Sequence, residues 1–232
     1  MKIPSNIQNQ ENEFHIKRIH VIILIAILLC GVLMYKINHP PKTYTAVPDL
    51  LSIPAPQQSS NTGRLSRKAG STDVDITIVA NYTIYGRVVD RHRYFGGSVI
   101  NNLSKIDLGI AWGFMATDEA QKHFKWSSYG TRFLRWKSQD LSWVDAHGGT
   151  TNIGKFYSNN HLIPDNSNID KLLKMVKVND YIKIDGYLVN ADYTQGKYTG
   201  YWHSSTSRDD QGDGACEIIY VKDISWLKAE NN

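Results

Sequence analysis

The sequence predicts a mainly β domain, a small OB-like or SH3-like barrel with one main helix, preceded by a single transmembrane helix. Three features lead to this prediction: an uncharged apolar run near the N-terminus, several strand-like segments further on, and one segment with apolar residues at helical spacing. They divide the chain into an N-terminal tail (1–18), a membrane span (19–37), a tether (38–72) and a mainly β domain (73–228).

The predicted span contains no charged residue between positions 21 and 35, and His20 and Lys36 can lie at the two membrane interfaces. About 20 apolar residues in a helix cross the ~30 Å hydrocarbon core of a bilayer. A cleaved signal peptide is the alternative, with Lys17 and Arg18 as its basic region. However, the run exceeds the ~7–15 apolar residues of such peptides and lacks a small-residue cleavage pattern. We therefore expect a retained signal anchor.

The charges that flank the span predict its orientation. Lys2, Lys17 and Arg18 precede it, whereas Lys36 and Lys42 follow it. This slightly more basic N-terminal flank favours a cytoplasmic N-terminus. We expect a single-pass protein of a bacterial inner membrane, with the C-terminal domain in the periplasm.

The segment that follows the span, 38–72, has the composition of an extended tether. It contains five of the seven prolines, and a polar run of Gln, Ser and Asn occupies positions 57–61. Such a segment has little apolar surface to bury and enough proline to stay extended.

Charge and cysteine content restrict the expected partners. The net charge of +4 is modest, and acidic and basic residues are interspersed, so we expect no nucleic-acid partner. Cys30 lies inside the span and Cys216 is alone in the domain, which excludes an intradomain disulfide. No cofactor is predicted. The expected partners are the membrane, through the N-terminal helix, and a protein or cell-envelope ligand.

The domain contains segments rich in Ile, Val, Tyr and Thr, several with alternating apolar residues, which predict strands. These segments are 74–89, 108–115, 132–137, 181–189, 198–203 and 215–224.

One convincing helix is predicted over residues 168–176, with Asn168 as its N-cap and with apolar residues at helical spacing. A shorter helix is predicted over 117–123, with Thr117 as its cap. The main helix leads directly into a strand with a mid-strand glycine, Gly186, which permits sharp bending. This arrangement is typical of small barrels.

Five sequence blocks lie between about Tyr82 and Val221: DLGIAWGFM, TRFLRW, YSNNHLIPDN, VNDYIKIDGYLV and WHSSTSRDDQGDGACEIIYV. Together they resemble an uncharacterised family of bacterial membrane-associated hypothetical proteins. The resemblance implies a shared fold and a shared surface. It implies no activity, cofactor or catalytic residue.

An acidic turn precedes the last predicted strand. Asp209, Gln211 and Asp213 resemble the first oxygen ligands of a calcium loop. Tyr220, however, stands where the bidentate glutamate belongs, and Glu217 comes three residues too early. A tight turn, in which the Asp side chains accept backbone N–H bonds, is the preferred interpretation, so we expect no metal.

Cys216 and His161 are the candidate catalytic residues. A thiol nucleophile needs a base within hydrogen-bond reach and a third group that orients the base, here Asn160 or Asp210. The alternative is structural: a lone Cys in a strand is commonly a small buried hydrophobe, and His161 can hold its loop through backbone hydrogen bonds.

The candidate binding residues are Arg208, Asp210, Glu217, His161 and Trp202. We expect the first four to form one polar patch, where the acidic turn meets the loop SNNHLIPDN. Aromatic rings bind the flat apolar faces of a glycan strand or peptide, and arginine pairs with carboxylates.

Two functions are compatible with these features. The favoured one is a membrane-anchored extracytoplasmic binding or assembly module of unknown ligand, because no specific catalytic signature is present. The alternative is a membrane-anchored hydrolase that uses the Cys/His pair or the acidic turn. Geometry separates them: a distance above ~6 Å between the Cys216 sulfur and the His161 ring would remove the main support for the hydrolase.

Overall fold

The computed structural model describes residues 5–50, 52–128, 132–207 and 216–230, with side chains from Arg18 onward. The chain divides into two compact units, Met1–Pro41 and Lys42–Asn232. The first unit contains helix α1, Ser5–Asn38, and the second contains every strand in the described part of the chain.

Within α1, the segment Arg18–Asn38 is long and apolar enough to cross a membrane, with a mean hydropathy of 2.4 over its most apolar stretch. None of that stretch is buried inside the structure. Its length matches the predicted span 19–37. A signal sequence would meet the same criteria of length and composition.

The second unit is mainly β, as predicted. Its strands are β1 (Tyr44–Val47), β2 (Gln57–Ala69), β3 (Thr72–Arg93), β4 (Ile106–Ala111), β5 (Phe124–Ser127), β6 (Arg135–Ser138), β7 (Tyr157–Pro164), β8 (Tyr181–Gln195), β9 (Tyr198–His203) and β10 (Glu217–Ala229). Its helices are α2 (Val99–Leu103), α3 (Asp118–Lys122), α4 (Leu141–Ala146), α5 (Gly149–Ile153) and α6 (Ser167–Met175), with 3-10 turns at Gly113–Ala116 and Gly154–Phe156.

Eight strands form one sheet in the order β1-β10-β7-β4-β3-β8-β9, with β2 paired to β3 and a further pairing between β10 and β8. The pairs β1–β10 and β7–β10 are parallel, whereas the other pairs of this sheet are antiparallel. β5 and β6 form a separate hairpin. The strand β7 therefore lies between β4 and β10, with both of its backbone edges paired.

Apolar side chains pack on both faces of the sheet. One cluster joins strand residues such as Leu108, Leu162 and Ile219 to the buried face of α6. A second cluster joins Ile163 and Ile218 to α2. Because alternate residues of a strand point to opposite faces, neighbours in sequence on β7 and β10 belong to different clusters.

The main helix α6 forms where the apolar spacing predicted it. Its cap is Asn166, whose side-chain oxygen accepts hydrogen bonds from the backbone N–H groups of Asn168 and Ile169. The cap thus lies two residues before the predicted Asn168. The shorter helix α3 is capped by Thr117, as predicted.

The structure places strands in the segment that was expected to be an extended tether. β1 pairs with β10, and β2 forms a long hairpin with β3 through a turn at Gly70. The prolines of this segment lie outside the two strands, and backbone pairing does not require apolar side chains. The division between the two compact units falls at Pro41 instead of near position 72.

A second difference is β7, since the segment SNNHLIP was expected to be a loop. Its polar residues Ser158, Asn159, Asn160 and His161 are all buried. The paired strands on both sides satisfy the backbone of β7, so polar side chains do not prevent strand formation here.

Candidate active site

Strand register brings three chemically reactive side chains to one face of the sheet. In the antiparallel pair of β4 and β7, Asp107 lies directly opposite His161. In the parallel pair of β7 and β10, His161 lies opposite Ile218. Cys216 precedes Ile218 by two residues, so by strand alternation it has the same orientation as Ile218. Its backbone carbonyl is fixed by a hydrogen bond from the N–H of Ser205, at 3.0 Å.

Asp107 and His161 are in direct contact. Nδ1 of His161 lies 2.9 Å from Oδ2 of Asp107, and the two side chains are 3% and 1% exposed. The two atoms are close enough for an ion pair, although their geometry does not form a hydrogen bond. A carboxylate at this position stabilises the protonated ring and restricts its orientation.

The Cys216 thiol is close enough to the same imidazole to affect its protonation. Burial alone lowers the pKa of His161, but the neighbouring Asp107 and Cys216 raise it, and the net effect is a pKa above the usual value. At a given pH, a larger fraction of His161 is therefore protonated than of an imidazole in water.

Asn159 supplies an amide to the same face, since it precedes His161 by two residues. Its Nδ2 group donates to Cys216 Sγ at 3.3 Å and to the backbone oxygen of Arg132. In the described part of the chain, its Oδ1 atom is buried without a hydrogen-bond partner. The amide is thus oriented with its donor group toward the sulfur.

Arg132 holds the carboxylate of Asp107 from the other side. Its guanidinium donates to Asp107 Oδ1 at 2.9 Å, to Asn101 Oδ1 at 2.9 Å and to the backbone oxygen of Ser104 at 2.6 Å. It also lies 3.9 Å above the ring of Tyr94. Arg132 thereby links β4 to the end of α2 and fixes the position of Asp107.

Trp202 on β9 covers the cluster. Its ring centroid lies 4.8 Å from that of His161, and the guanidinium of Arg132 lies 5.2 Å from the indole ring. Trp202 is half-buried, and Cys216 also keeps partial exposure. The sulfur is therefore not sealed from solvent.

The polar patch predicted from sequence is only partly assembled. Glu217 is buried and pairs with Asn160, so strand alternation directs it to the face opposite His161. The other expected members, Arg208 and Asp210, lie outside the described residues, as do the weak metal candidates Asp209 and Asp213. Among the residues that the structure describes, no group of three or more His, Cys, Asp and Glu side chains could hold a metal ion.

Sequence reasoning missed the group that orients His161. Asn160, one of the two expected partners, donates instead to the backbone oxygen of Leu108 at 3.1 Å. The orienting group is Asp107, which stands in the otherwise apolar strand β4. A carboxylate inside an apolar strand is itself a signal, because Asp is rarely fully buried unless it is paired.

Comparisons with protein-family models, curated proteins and solved structures gave no match to this chain. The resemblance to uncharacterised bacterial membrane-associated proteins therefore stays a prediction. The chemistry of the buried cluster is the basis for assigning a function.

Proposed function

We propose that this protein is a membrane-anchored hydrolase in which Cys216 is the nucleophile, His161 the general base and Asp107 the group that orients the base. One observation supports the proposal: Asp107 of β4 contacts His161 of β7 at 2.9 Å, and Cys216, just before β10, is directed to the same face of the sheet and raises the pKa of His161. This is the arrangement that activates a weak nucleophile.

The reaction proceeds in two steps that return the site to its starting state. His161 takes the thiol proton of Cys216, and the sulfur forms a bond to the substrate while His161 passes the proton to the leaving group. Water then loses a proton to His161 and attacks the substrate atom bonded to sulfur. The bond to sulfur breaks, and the proton returns to Cys216. Asp107 stabilises the imidazolium formed in each step.

The proposal includes the OB-like barrel. The pairings β3–β4, β4–β7, β7–β10, β10–β8 and β8–β3 form a continuous ring of neighbours, which supports closure. The parallel pair β7–β10, with α6 leading from β7 into β8, supports OB-like connectivity. At Gly186 of β8, an added Cβ would overlap the backbone oxygen of Tyr220, so a side chain there would separate β8 from β10.

The proposal also includes the cellular location. The apolar helix Arg18–Asn38 supports a retained single-pass anchor in a bacterial inner membrane. The slightly more basic flank before it supports a cytoplasmic N-terminus and a periplasmic domain.

Thiol reactivity tests the proposal in the full-length protein in detergent. Cys30 is exposed, so the measurement uses a Cys30→Ala background in which Cys216 is the remaining cysteine. We expect rapid alkylation by iodoacetamide near neutral pH and a fall of at least about tenfold in the His161→Gln variant, because the thiolate is the reactive form. An equal rate in the two proteins would contradict the proposed pair. His203→Gln, a change in another histidine that pairs with Asp192 at the surface, is the matched control.

A binding or assembly module is the second candidate function. Tyr198 and Tyr201 on β9 are 81% and 75% exposed, and β9 is an edge strand of the main sheet among the described strands. Exposed aromatic rings support contact with a glycan or a protein of the cell envelope. Co-sedimentation with purified cell-wall glycan tests this function. Loss of co-sedimentation in Tyr198→Ala/Tyr201→Ala, with unchanged thiol alkylation, would support it, and no co-sedimentation of the unmodified protein would exclude a glycan ligand.

A further inference from the structure

Asn159 is the one amide in the described part of the chain whose nitrogen donates to the Cys216 sulfur. One hydrogen of its Nδ2 group is directed to the backbone oxygen of Arg132, and the other is directed to Sγ at 3.3 Å. The unpartnered Oδ1 atom fits this orientation, because turning the amide over would place an oxygen against two acceptors.

An N–H donor this close to the sulfur can stabilise the reaction of a substrate that contains a carbonyl group. When Sγ attacks a carbonyl carbon, the C=O π electrons move to the oxygen, which becomes an oxyanion two bonds away from the sulfur. The sulfur simultaneously loses its negative charge and becomes a poor acceptor. The Nδ2–H that donates to the sulfur in the free protein is then within reach of the new, stronger acceptor.

We infer that the substrates of this site are acyl compounds, which are esters, thioesters or amides, and that Asn159 stabilises the oxyanion formed on their carbonyl oxygen. The inference rests on the proposed function, and it adds the class of bond that is broken. A thiolate can also attack an alkyl carbon or a disulfide, but neither reaction develops negative charge on an oxygen bonded to the attacked atom. A preorganised N–H donor beside the sulfur favours the acyl reaction alone.

The acyl reaction balances without a further reactant. Attack forms the Sγ–C bond, and collapse of the oxyanion breaks the bond from carbon to the leaving group, which takes the proton held by His161. The product is a thioester on Cys216. Water then adds to this carbonyl after giving a proton to His161, the oxyanion forms again beside Asn159, and cleavage of the C–S bond releases a carboxylic acid and the thiol.

Two reagents on one protein test the inference. In the full-length Cys30→Ala protein in detergent, p-nitrophenyl acetate reports acylation of Cys216 through release of p-nitrophenolate. Iodoacetamide reports alkylation, which needs the thiolate but no oxyanion donor. We expect Asn159→Ala to lower the acylation rate by about 10²–10³-fold and to change the alkylation rate far less, because a lost oxyanion donor affects only the carbonyl reaction. Asn159→Ser retains a hydrogen-bond donor on a shorter side chain, so its acylation rate should lie between those of Asn159→Ala and the unmodified residue.

The other outcomes contradict, in turn, the oxyanion role of Asn159, the acyl substrate class and the proposed hydrolase. If Asn159→Ala slows both reactions equally, Asn159 positions the thiol and is not an oxyanion donor. If the unmodified site is alkylated in a His161-dependent manner but is not acylated by the ester, the acyl inference fails while the proposed hydrolase stands. If neither reaction depends on His161, the proposed function itself fails. A loss of fold in Asn159→Ala would appear as slow alkylation, and Asn159→Ser then decides between the outcomes.

Discussion

Replacing Arg132 by alanine removes the permanent positive charge beside Asp107. The guanidinium donates three hydrogen bonds, to Asp107, Asn101 and Ser104, and its side chain is only 16% exposed. Asp107 is 1% exposed, so water cannot replace the lost partner. Arg132 also has a positive φ of 58°, and alanine keeps the Cβ, so the backbone cost of that conformation is nearly unchanged by the substitution.

We expect Arg132→Ala to lower the free energy of unfolding by about 3–5 kcal/mol, because it leaves a buried carboxylate without its arginine partner and with the imidazole of His161 as the remaining ion-pair contact. Removing a surface ion pair lowers the free energy of unfolding by only about 0–1 kcal/mol, so the size of the loss distinguishes a buried clamp from an exposed pair. In a domain of this size, a loss of about 1 kcal/mol lowers Tm by roughly 2–4 °C, which predicts a fall of roughly 6–20 °C.

Thermal melting of the full-length protein in detergent, followed by near-UV circular dichroism, measures this change. Arg135→Ala is the matched control, since Arg135 is an exposed arginine three residues away and its removal should alter stability by no more than about 0.5 kcal/mol. Adding Asp107→Asn to Arg132→Ala should recover part of the loss, because the unpaired charge is then removed. Equal melting temperatures for Arg132→Ala and Arg135→Ala would refute the role of Arg132 as a buried clamp.

Four further predictions concern the site, the sheet and the membrane. Asp107→Asn should lower the rate of ester hydrolysis by about 10²–10⁴-fold while alkylation of Cys216 persists, because the imidazole loses its orienting charge; an unchanged hydrolysis rate would exclude Asp107 from the reaction. Because the folded pKa of His161 lies above its unfolded value, its contribution to stability is full below about pH 6.5 and is lost as the pH rises through the folded pKa. The difference in unfolding free energy between the unmodified protein and His161→Gln should therefore shrink on going from pH 6 to pH 9 (both values approximate), and a growing difference would contradict the sign. Gly186→Ala should lower Tm far more than Gly97→Ala, where a Cβ meets no atom within 4 Å; similar melting temperatures would show that β8 and β10 tolerate separation. A reporter that is active only outside the cytoplasm should be active when fused after Asn232, and activity of a cytoplasmic reporter there would reverse the orientation.

The mainly β fold was predictable because side-chain alternation is local. The segments 74–89, 181–189 and 198–203 contain many β-branched and aromatic residues, and they form parts of β3, β8 and β9. The helix α6 was also predictable, since its apolar residues repeat at helical spacing. Strand propensity and helical spacing depend on neighbours in sequence, so both can be recognised without knowledge of the rest of the fold.

The strands β2 and β7 were not predictable in the same way. β2 is polar, and its pairing with β3 provides backbone hydrogen bonds without a continuous apolar face. β7 contains two asparagines and ends at Pro164, a composition typical of loops. Its strand conformation depends on β4 and β10, which lie far from it in sequence and bury its polar side chains.

The sequence predicted the residue types of the candidate site, but it did not predict which residue contacts His161. Sequence identified Cys216 and His161, which are directed to the same face of the sheet, but it assigned the third position to Asn160 or Asp210. Strand register decides the matter: Asn160 and His161 are adjacent, so they point to opposite faces, whereas Asp107 pairs directly with His161. Such register is set by the whole sheet and is invisible in a single segment.

The location of this polar cluster supports a role beyond stability. Asp107, His161 and Asn159 stand where both faces of the sheet are otherwise packed with apolar side chains. Burying charged and polar groups is costly, and well-packed hydrophobic residues in their place are often neutral or stabilising, by about 1–4 kcal/mol for a buried ion pair. Stability alone therefore does not require a buried carboxylate, its arginine and an imidazole beside a thiol. The chemistry that we propose at Cys216 does require them, since a nucleophile needs a base, an oriented base needs a carboxylate, and a buried carboxylate needs Arg132.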